Sequence, residues 1–173
     1  MKIICFVMIV TTMVGDAAKS EIRSPISVCE LLENRLKYDG QIVAVRGVVE
    51  GSTEGAALIG DHCLRPIVTQ GYTWPNAISL SYDLSLDSPH TVNFTRNFRQ
   101  IDRIDREARR IKQKYPDVKI AYTYVGLFET RAKLGQATNL TGEFVPAGFG
   151  HLGACPAQLV IQTVRDPRVQ SSK

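Results

Sequence analysis

The segment from Lys37 to Gly51 constrains the fold of this chain more than any other. It begins at a Lys-Tyr-Asp-Gly turn, continues as a run rich in Val, Ile and Ala, and ends at a second turn. Such residues between two turn signals predict a strand. Gly47 lies inside the run, and an interior glycine usually marks a bulge or a sharp bend. The segment therefore predicts a long first strand that bends, as strands do at the corner of a small closed barrel.

A second run, from Lys119 to Thr130, has the same character. It is rich in β-branched and aromatic residues and carries one interior glycine, Gly126. Residues 45–48 (Val-Arg-Gly-Val) are echoed by residues 124–127 (Tyr-Val-Gly-Leu). Two long strands that each bend at a glycine can close a compact barrel.

Two helices are predicted. The Ser-x-x-Glu pattern from Ser27 to Glu30 matches a capping box, in which the two side chains satisfy each other's backbone amides. It predicts a short helix from Val28 to about Lys37. Between about Val92 and Tyr115, apolar residues recur at steps of three and four, which predicts a long helix that Pro116 stops.

Three further strands complete the pattern. The segment from Ile78 to Leu86 alternates between apolar and polar residues, which predicts a strand with one buried and one wet face. Shorter strands are predicted at 56–59 and 158–164. The order predicts an α+β fold, a small OB-like five-stranded β-barrel (βββαββ) with an N-terminal capping helix and a long helix between strands 3 and 4. The alternative is an α+β sandwich in which the long helix covers an open sheet.

The N-terminal residues predict export. Lys2 precedes an apolar run from Ile3 to Val14, and small residues follow at 15 and 17, the pattern of a cleaved signal peptide. The run is shorter than the roughly 20 apolar residues that a membrane-spanning helix needs. We therefore predict a signal peptide at 1–17, a single domain at 18–165 and a flexible tail at 166–173. The protein is expected to be periplasmic or secreted, without a transmembrane segment.

Export leaves three cysteines in an oxidising compartment: Cys29, Cys63 and Cys155. Three thiols allow one intramolecular bridge, with three possible pairings. We favour Cys29 with Cys63, because both flank the strands of the first half of the barrel. Closing a loop of this size contributes about 3–4 kcal/mol in the chain-entropy model. Cys155 is then predicted to be a small buried apolar residue rather than a reactive thiol.

Several segments of the sequence are similar to a known group of proteins. They are residues 28–32 (Val-Cys-Glu-Leu-Leu), 38–40 (Tyr-Asp-Gly), 43–47 (Val-Ala-Val-Arg-Gly), Cys63, 148–153 (Gly-Phe-Gly-His-Leu-Gly) and 156–160 (Pro-Ala-Gln-Leu-Val). These segments resemble exported OB-fold-like proteins of bacteria, a group without an assigned activity. The resemblance implies the fold and export, and it implies no reaction.

Two patterns suggest chemistry but lack the context that it needs. Residues 148–153 match the dinucleotide pattern G-x-G-x-x-G, yet no strand–turn–helix unit surrounds them. His62, Cys63, His151 and Cys155 are metal-ligand types, but their spacing is no zinc signature. We predict a glycine-rich turn at 148–153, and neither a cofactor nor a metal.

Ligand contacts are predicted on the face that OB barrels use, the second and third strands and the loops beside them. The candidate residues are Glu54, Trp74, Tyr82, Phe149 and His151. Nucleic acid is not the expected ligand, because the basic residues cluster on the long helix and not among these strands.

The long helix carries a row of basic residues, Arg99, Arg103, Arg106 and Arg110. Spacings of three and four place their side chains on one helical face. Acidic neighbours predict the ion pairs Asp102–Arg106 and Asp105–Arg109, and such alternation is also typical of a solvated face without a partner. The functional alternative is an anion-recognition surface.

We therefore predict a non-enzymatic binding or accessory protein of the bacterial envelope. The sequence does not identify its ligand, for which an anionic glycan, a lipid and a protein partner are the candidates. The formal net charge of +4 is small for a dedicated nucleic-acid binder. The alternative is a small envelope hydrolase or metal-dependent enzyme that uses His151. Its second group would be His62 or one of the loop carboxylates Glu50, Glu54 and Asp61.

Overall fold

The computed structural model describes residues 24–52, 55–61, 63–69, 71–138, 144–150 and 153–170. The predicted signal peptide at 1–17 lies outside these residues, as do the candidates Glu54, His62 and His151. Within them the elements are, in chain order, β1 (Ile26–Ser27), α1 (Val28–Glu33), α2 (Arg35–Tyr38), β2 (Ile42–Ser52), β3 (Gly55–Ile59), β4 (Val68–Thr69), β5 (Tyr72–Thr73), β6 (Ala77–Ser81), α3 (Phe98–Lys114), β7 (Lys119–Thr130), β8 (Gly135–Thr138), β9 (Phe144–Ala147) and β10 (Ala157–Gln170).

Five of the strands close into a mixed β-barrel. Around the barrel the order is β2, β3, β6, β10 and β7, and β7 pairs with β2 to close it. Neighbouring strands are antiparallel except β6 and β10, which run parallel. The closing pair extends from Ile42 opposite Leu127 to Val48 opposite Ala121. This pairing excludes the open sheet under a helix, and the predicted α+β barrel is confirmed.

Both predicted glycine positions lie in crowded parts of the barrel wall. A Cβ atom at Gly47 would lie 2.9 Å from Cγ2 of Val28 on α1. A Cβ atom at Gly126 would collide with the carbonyl oxygen of Val160, and the register of β7 against β10 shifts just beyond, after Ile161. At both positions the missing side chain lets another chain segment approach closely.

The core lies inside the barrel, and α1 and α3 both contribute apolar side chains to it. At the start of α1, the Ser27 hydroxyl accepts a hydrogen bond from the Glu30 amide at 3.1 Å, as the capping pattern predicts.

The predicted helix to Lys37 is interrupted at Asn34, whose side-chain amide donates to the Glu30 carbonyl at 2.9 Å. Asparagine side chains often compete with helical hydrogen bonds in this way. Leu36 is exposed on the short α2 that follows.

Two strand predictions are corrected by the structure. The strand predicted to reach Leu86 ends at Ser81, because the Ser81 hydroxyl binds the amide and the carbonyl of Asp83 and the chain turns. The last strand, predicted to end at Val164, continues to Gln170. Residues 166–170 therefore belong to β10 and not to a tail.

The predicted disulfide between Cys29 and Cys63 is confirmed, with 5.0 Å between the two Cα atoms. It joins α1 to the segment that follows β3. Cys155 is a free, half-buried cysteine. Burial raises the pKa of its thiol, which keeps the sulfur in the unreactive protonated form near neutral pH.

Replacing both bridged cysteines by serine should lower the free energy of unfolding by about 3 kcal/mol, because the bridge restricts the unfolded chain. The two cysteines are separated by 34 positions, which is a long loop to close. Thermal unfolding followed by circular dichroism measures the loss, with Cys155→Ser as the matched control. Equal unfolding temperatures for the double variant and the control would contradict this expectation.

Candidate anion-binding surface

Two aromatic candidates on the face that was predicted to bind a ligand are covered by other residues of the protein. The side chains of Trp74 and Phe149 are only 2 % and 3 % exposed. Gly150 lies directly over Ser79 of β6, since a Cβ atom there would be 2.6 Å from the Ser79 hydroxyl. A Cβ atom at Gly148 would lie 2.7 Å from the Trp74 ring. Neither aromatic ring is therefore open to a ligand from solution.

The described part of segment 148–155 forms the predicted glycine-rich turn. The Phe149 amide donates to the Cys155 carbonyl at 2.7 Å, and the Cys155 amide donates back at 2.9 Å. Gly150 and Gly153 have positive φ angles of 76° and 66°, which glycine adopts easily. The next element is the strand β10, so the turn does not lead into the helix N-terminus that a dinucleotide loop needs.

Tyr82, the remaining described candidate of that face, lies on the strap, which we define as residues 82–91 after β6. Its ring centre is 6.0 Å from that of Phe98, the first residue of α3. The two side chains are 46 % and 53 % exposed. Burial and the charges of Asp105 and Asp102 raise the pKa of Tyr82, so its phenol stays protonated near neutral pH.

A buried carboxylate holds the strap against the barrel. Glu129, near the end of β7, is 2 % exposed. It accepts hydrogen bonds from the Ser85 hydroxyl at 2.5 Å, the Ser85 amide at 3.2 Å and the Gln158 side chain at 2.6 Å. Burial alone would raise the pKa of Glu129, but hydrogen bonds from Ser85, Ser88 and Gln158 outweigh it and hold this pKa below its usual range. The only sequence signal for this role of Glu129 is its position as an acid at the end of the apolar run 125–128.

One ion pair and one close approach also join the strap to neighbouring segments. Arg131 donates to Asp87 at 2.6 Å. Nε2 of His90 lies 3.2 Å from Oδ1 of Asp39, which also accepts a hydrogen bond from the Thr130 amide at 2.9 Å. The strap leads into α3, so these contacts help to position that helix.

The long helix begins later than the predicted residue 92. It starts at Phe98 because Asn97 caps it, with its side chain accepting from the Gln100 amide at 3.1 Å. The Asn97 amide donates to the Gln162 carbonyl at 2.9 Å. The Gln100 side chain donates to the Val164 carbonyl at 2.8 Å. The start of α3 is therefore tied to β10.

The four predicted arginines lie together on the outer face of α3. All four are exposed: Arg99, Arg103, Arg106 and Arg110. Because an α-helix turns by about 100° per residue, they fall within an arc of about 60°, and they span about 17 Å along the axis. The arc lies opposite the buried face of Ile101, Ile104 and Ala108. We call these four residues the arginine stripe.

The arginine stripe has no partner within the described part of the chain. The three ion pairs recorded there join other residues. The predicted ion pairs Asp102–Arg106 and Asp105–Arg109 are not formed, and Nε of Arg109 instead donates to the backbone carbonyl of Asp105 at 3.4 Å. Exposed ion pairs contribute little to stability in water, so the absence of these two pairs costs little unfolding free energy.

Acidic residues border the arginine stripe but do not enter it. The helical geometry places Asp102 on one side and Glu107 on the other, each about 40° from the nearest arginine of the stripe, and Arg109 lies about 20° beyond Asp102. The helix as a whole carries seven basic and three acidic residues, an excess equal to the formal charge of +4 of the entire chain. The positive charge of the protein is thus concentrated on this helix.

The residues of the alternative enzyme hypothesis are not brought together in the part of the structure that is described. Asp61 lines a groove of about 580 Å³ beside the disulfide, whereas Glu50 lines two other grooves. No group of three or more His, Cys, Asp or Glu side chains among the described residues is placed to hold a metal ion.

Comparison of the chain with models of protein families, with curated protein sequences and with solved structures found no match. Of the helices in the described ranges, none has the length and apolar character that crossing a bilayer requires.

Proposed function

We propose that this chain is a non-enzymatic binding or accessory protein of the bacterial envelope, exported by a cleaved signal peptide, and that it recognises an anionic partner through the arginine stripe. The observation that carries the proposal is the stripe itself. Its four arginines are exposed and face away from the barrel. A disulfide between Cys29 and Cys63 supports export, because such bridges persist in oxidising compartments.

We propose further that the barrel is an OB-fold, as the resemblance to exported bacterial proteins implies. Its support is the strand order β2-β3-β6-β10-β7, the parallel pairing of β6 with β10, and the position of α3 between β6 and β7. An OB-fold usually binds its ligand on the second and third strands and the loops beside them. Here Trp74 and Phe149 are buried in that region, which supports recognition through α3 instead.

The charge pattern of α3 favours a binding surface over a merely solvated face. On a solvated helix, acidic and basic side chains usually alternate and compensate one another. The outer arc of α3 instead holds four guanidinium groups and no carboxylate. Concentrated charge of one sign attracts oppositely charged partners and accelerates their association.

The proposal predicts that charge reversal of the stripe weakens binding to a general polyanion. In Arg99→Glu/Arg103→Glu/Arg106→Glu, each substitution removes an attraction and adds a repulsion. We expect affinity for heparin at low salt to fall at least about tenfold. Elution from heparin–agarose along a salt gradient measures the change.

The matched control is Lys37→Glu/Arg65→Glu/Lys133→Glu, which changes the net charge equally at exposed residues outside α3. It should elute much closer to the wild-type protein than the helix variant does. Identical elution of both triple variants would show that only net charge matters, and the proposed surface would then be rejected. Circular dichroism verifies that both variants are folded.

A further inference from the structure

We infer that the arginine stripe binds an acidic α-helix of a partner protein, rather than a lipid surface or a polyanionic glycan. This inference rests on the proposed role of α3 in binding an anionic partner. Three features of the helix carry it: the period of the arginines, the acids beside them, and the aromatic pair at the start of the helix.

The arginines repeat with a helical period. Their spacings of four, three and four positions form a straight row along the axis, with a mean separation of about 5.5 Å. Carboxylates with the same spacings on a second helix form a row of the same pitch. Two helices lying side by side then bring each guanidinium against one carboxylate. Arginine suits this contact, because its planar fork binds a carboxylate through two parallel hydrogen bonds.

The two acids beside the stripe limit what it accepts. A membrane presents a plane of negative charge that is wider than the stripe, so docking would bring phosphates towards Asp102 and Glu107 as well. A polyanionic glycan follows the arginines but has no positive groups for these two carboxylates. A protein helix with basic residues on both flanks of its acidic row can pair its acids with the arginines and its basic residues with the two carboxylates. Flanking charges of this kind set partner choice in paired helices.

An apolar contact is available beside the start of the stripe. Phe98 directly precedes Arg99, and its ring and that of Tyr82 are about half exposed and 6.0 Å apart. Aromatic and arginine side chains are the ones that most often dominate the affinity of protein interfaces. A partner protein can cover this aromatic pair with an apolar side chain.

The test uses two synthetic peptides of about 20 residues with identical composition. In the patterned peptide, glutamates repeat at spacings of four, three and four with lysines on both flanks, and in the scrambled peptide no helical face is acidic. Fluorescence anisotropy measures binding to the purified protein. We expect the patterned peptide to bind at least about tenfold more tightly than the scrambled one.

Three variants of the protein sharpen the test. Arg103→Glu/Arg106→Glu should weaken binding of the patterned peptide about tenfold, whereas Arg65→Glu/Lys133→Glu, which reverses exposed charges elsewhere, should bind much as the wild-type protein does. Asp102→Ala/Glu107→Ala should weaken the patterned peptide about threefold and strengthen binding to heparin and to phosphatidylglycerol vesicles.

Two results would count against the inference in distinguishable ways. Equal affinity for the two peptides, with arginine-dependent binding to heparin or to the vesicles, would overturn the acidic-helix partner and leave the proposed anion-binding role standing. If Arg103→Glu/Arg106→Glu changes binding to none of these probes, the anion-binding role fails as well.

Discussion

The Gly126→Ala variant should lose about 3 kcal/mol of unfolding free energy or fail to fold. The added Cβ atom would collide with the carbonyl oxygen of Val160, and it would lie 2.9 Å from the carbonyl carbon of the same residue and 3.2 Å from Cα of Ile161. Atoms of a paired backbone cannot swing aside as a flexible side chain can, so β7 and β10 would have to separate. Overpacking costs about 1–3 kcal/mol, and more where the backbone must move. Urea unfolding followed by circular dichroism gives the value.

Gly135→Ala is the matched control for this prediction. Gly135 also lies in a strand, β8, but the nearest atom to an added Cβ is the Ala147 Cβ at 3.4 Å, an ordinary contact. Its unfolding free energy should remain within about 0.5 kcal/mol of the wild-type value. If Gly126→Ala is equally well tolerated, the close approach of β7 to β10 is not as described.

Removing the buried carboxylate of Glu129 should destabilise the fold by about 3 kcal/mol. In Glu129→Ala, the Ser85 hydroxyl and the Gln158 side-chain amide lose their shared acceptor inside the protein. Each buried donor without an acceptor costs about 1–3 kcal/mol. The strap would also lose its hold on the barrel, so we expect its amide hydrogens to exchange faster. Hydrogen exchange and urea unfolding measure the two effects.

Glu129 should also contribute to the acid sensitivity of the protein. Its pKa is lower in the folded than in the unfolded protein, because hydrogen bonds from Ser85, Ser88 and Gln158 outweigh the effect of burial. The unfolded protein therefore takes up the proton first as the pH falls. The stabilisation is complete above the unfolded pKa of about 4.3 and is lost as the pH drops through the lower folded pKa.

Glu129→Gln removes this titration while keeping the size of the side chain. Its unfolding free energy should depend less on pH than that of the wild-type protein below about pH 5. The control is Glu107→Gln, which removes an exposed acid on α3. Parallel stability curves for Glu129→Gln and the wild-type protein between about pH 3 and 7 would show that the carboxylate does not act in this way.

The elements that matched their predictions are those whose signals are local. The run from Lys119 to Thr130 is β7 with the predicted ends, and Gly126 lies beside a register shift. The outward row of arginines follows from helical spacing alone, because residues three and four positions apart share a face whatever lies around the helix. The predicted bridge between Cys29 and Cys63 likewise depended on their positions next to strands that the pattern already marked.

Contacts between distant segments decided which candidate residues are open to a partner. Trp74 and Phe149 are buried because residues 148–150 fold back over β6, and a strand face has the same pattern whether water or another segment covers it. The burial of Glu129 depends on Ser85, which is 44 positions away in the chain. Periodicity is a property of neighbouring residues and can be obtained from the chain alone. Burial of a side chain by a distant segment depends on tertiary packing, and it is decided only when the two segments have come together.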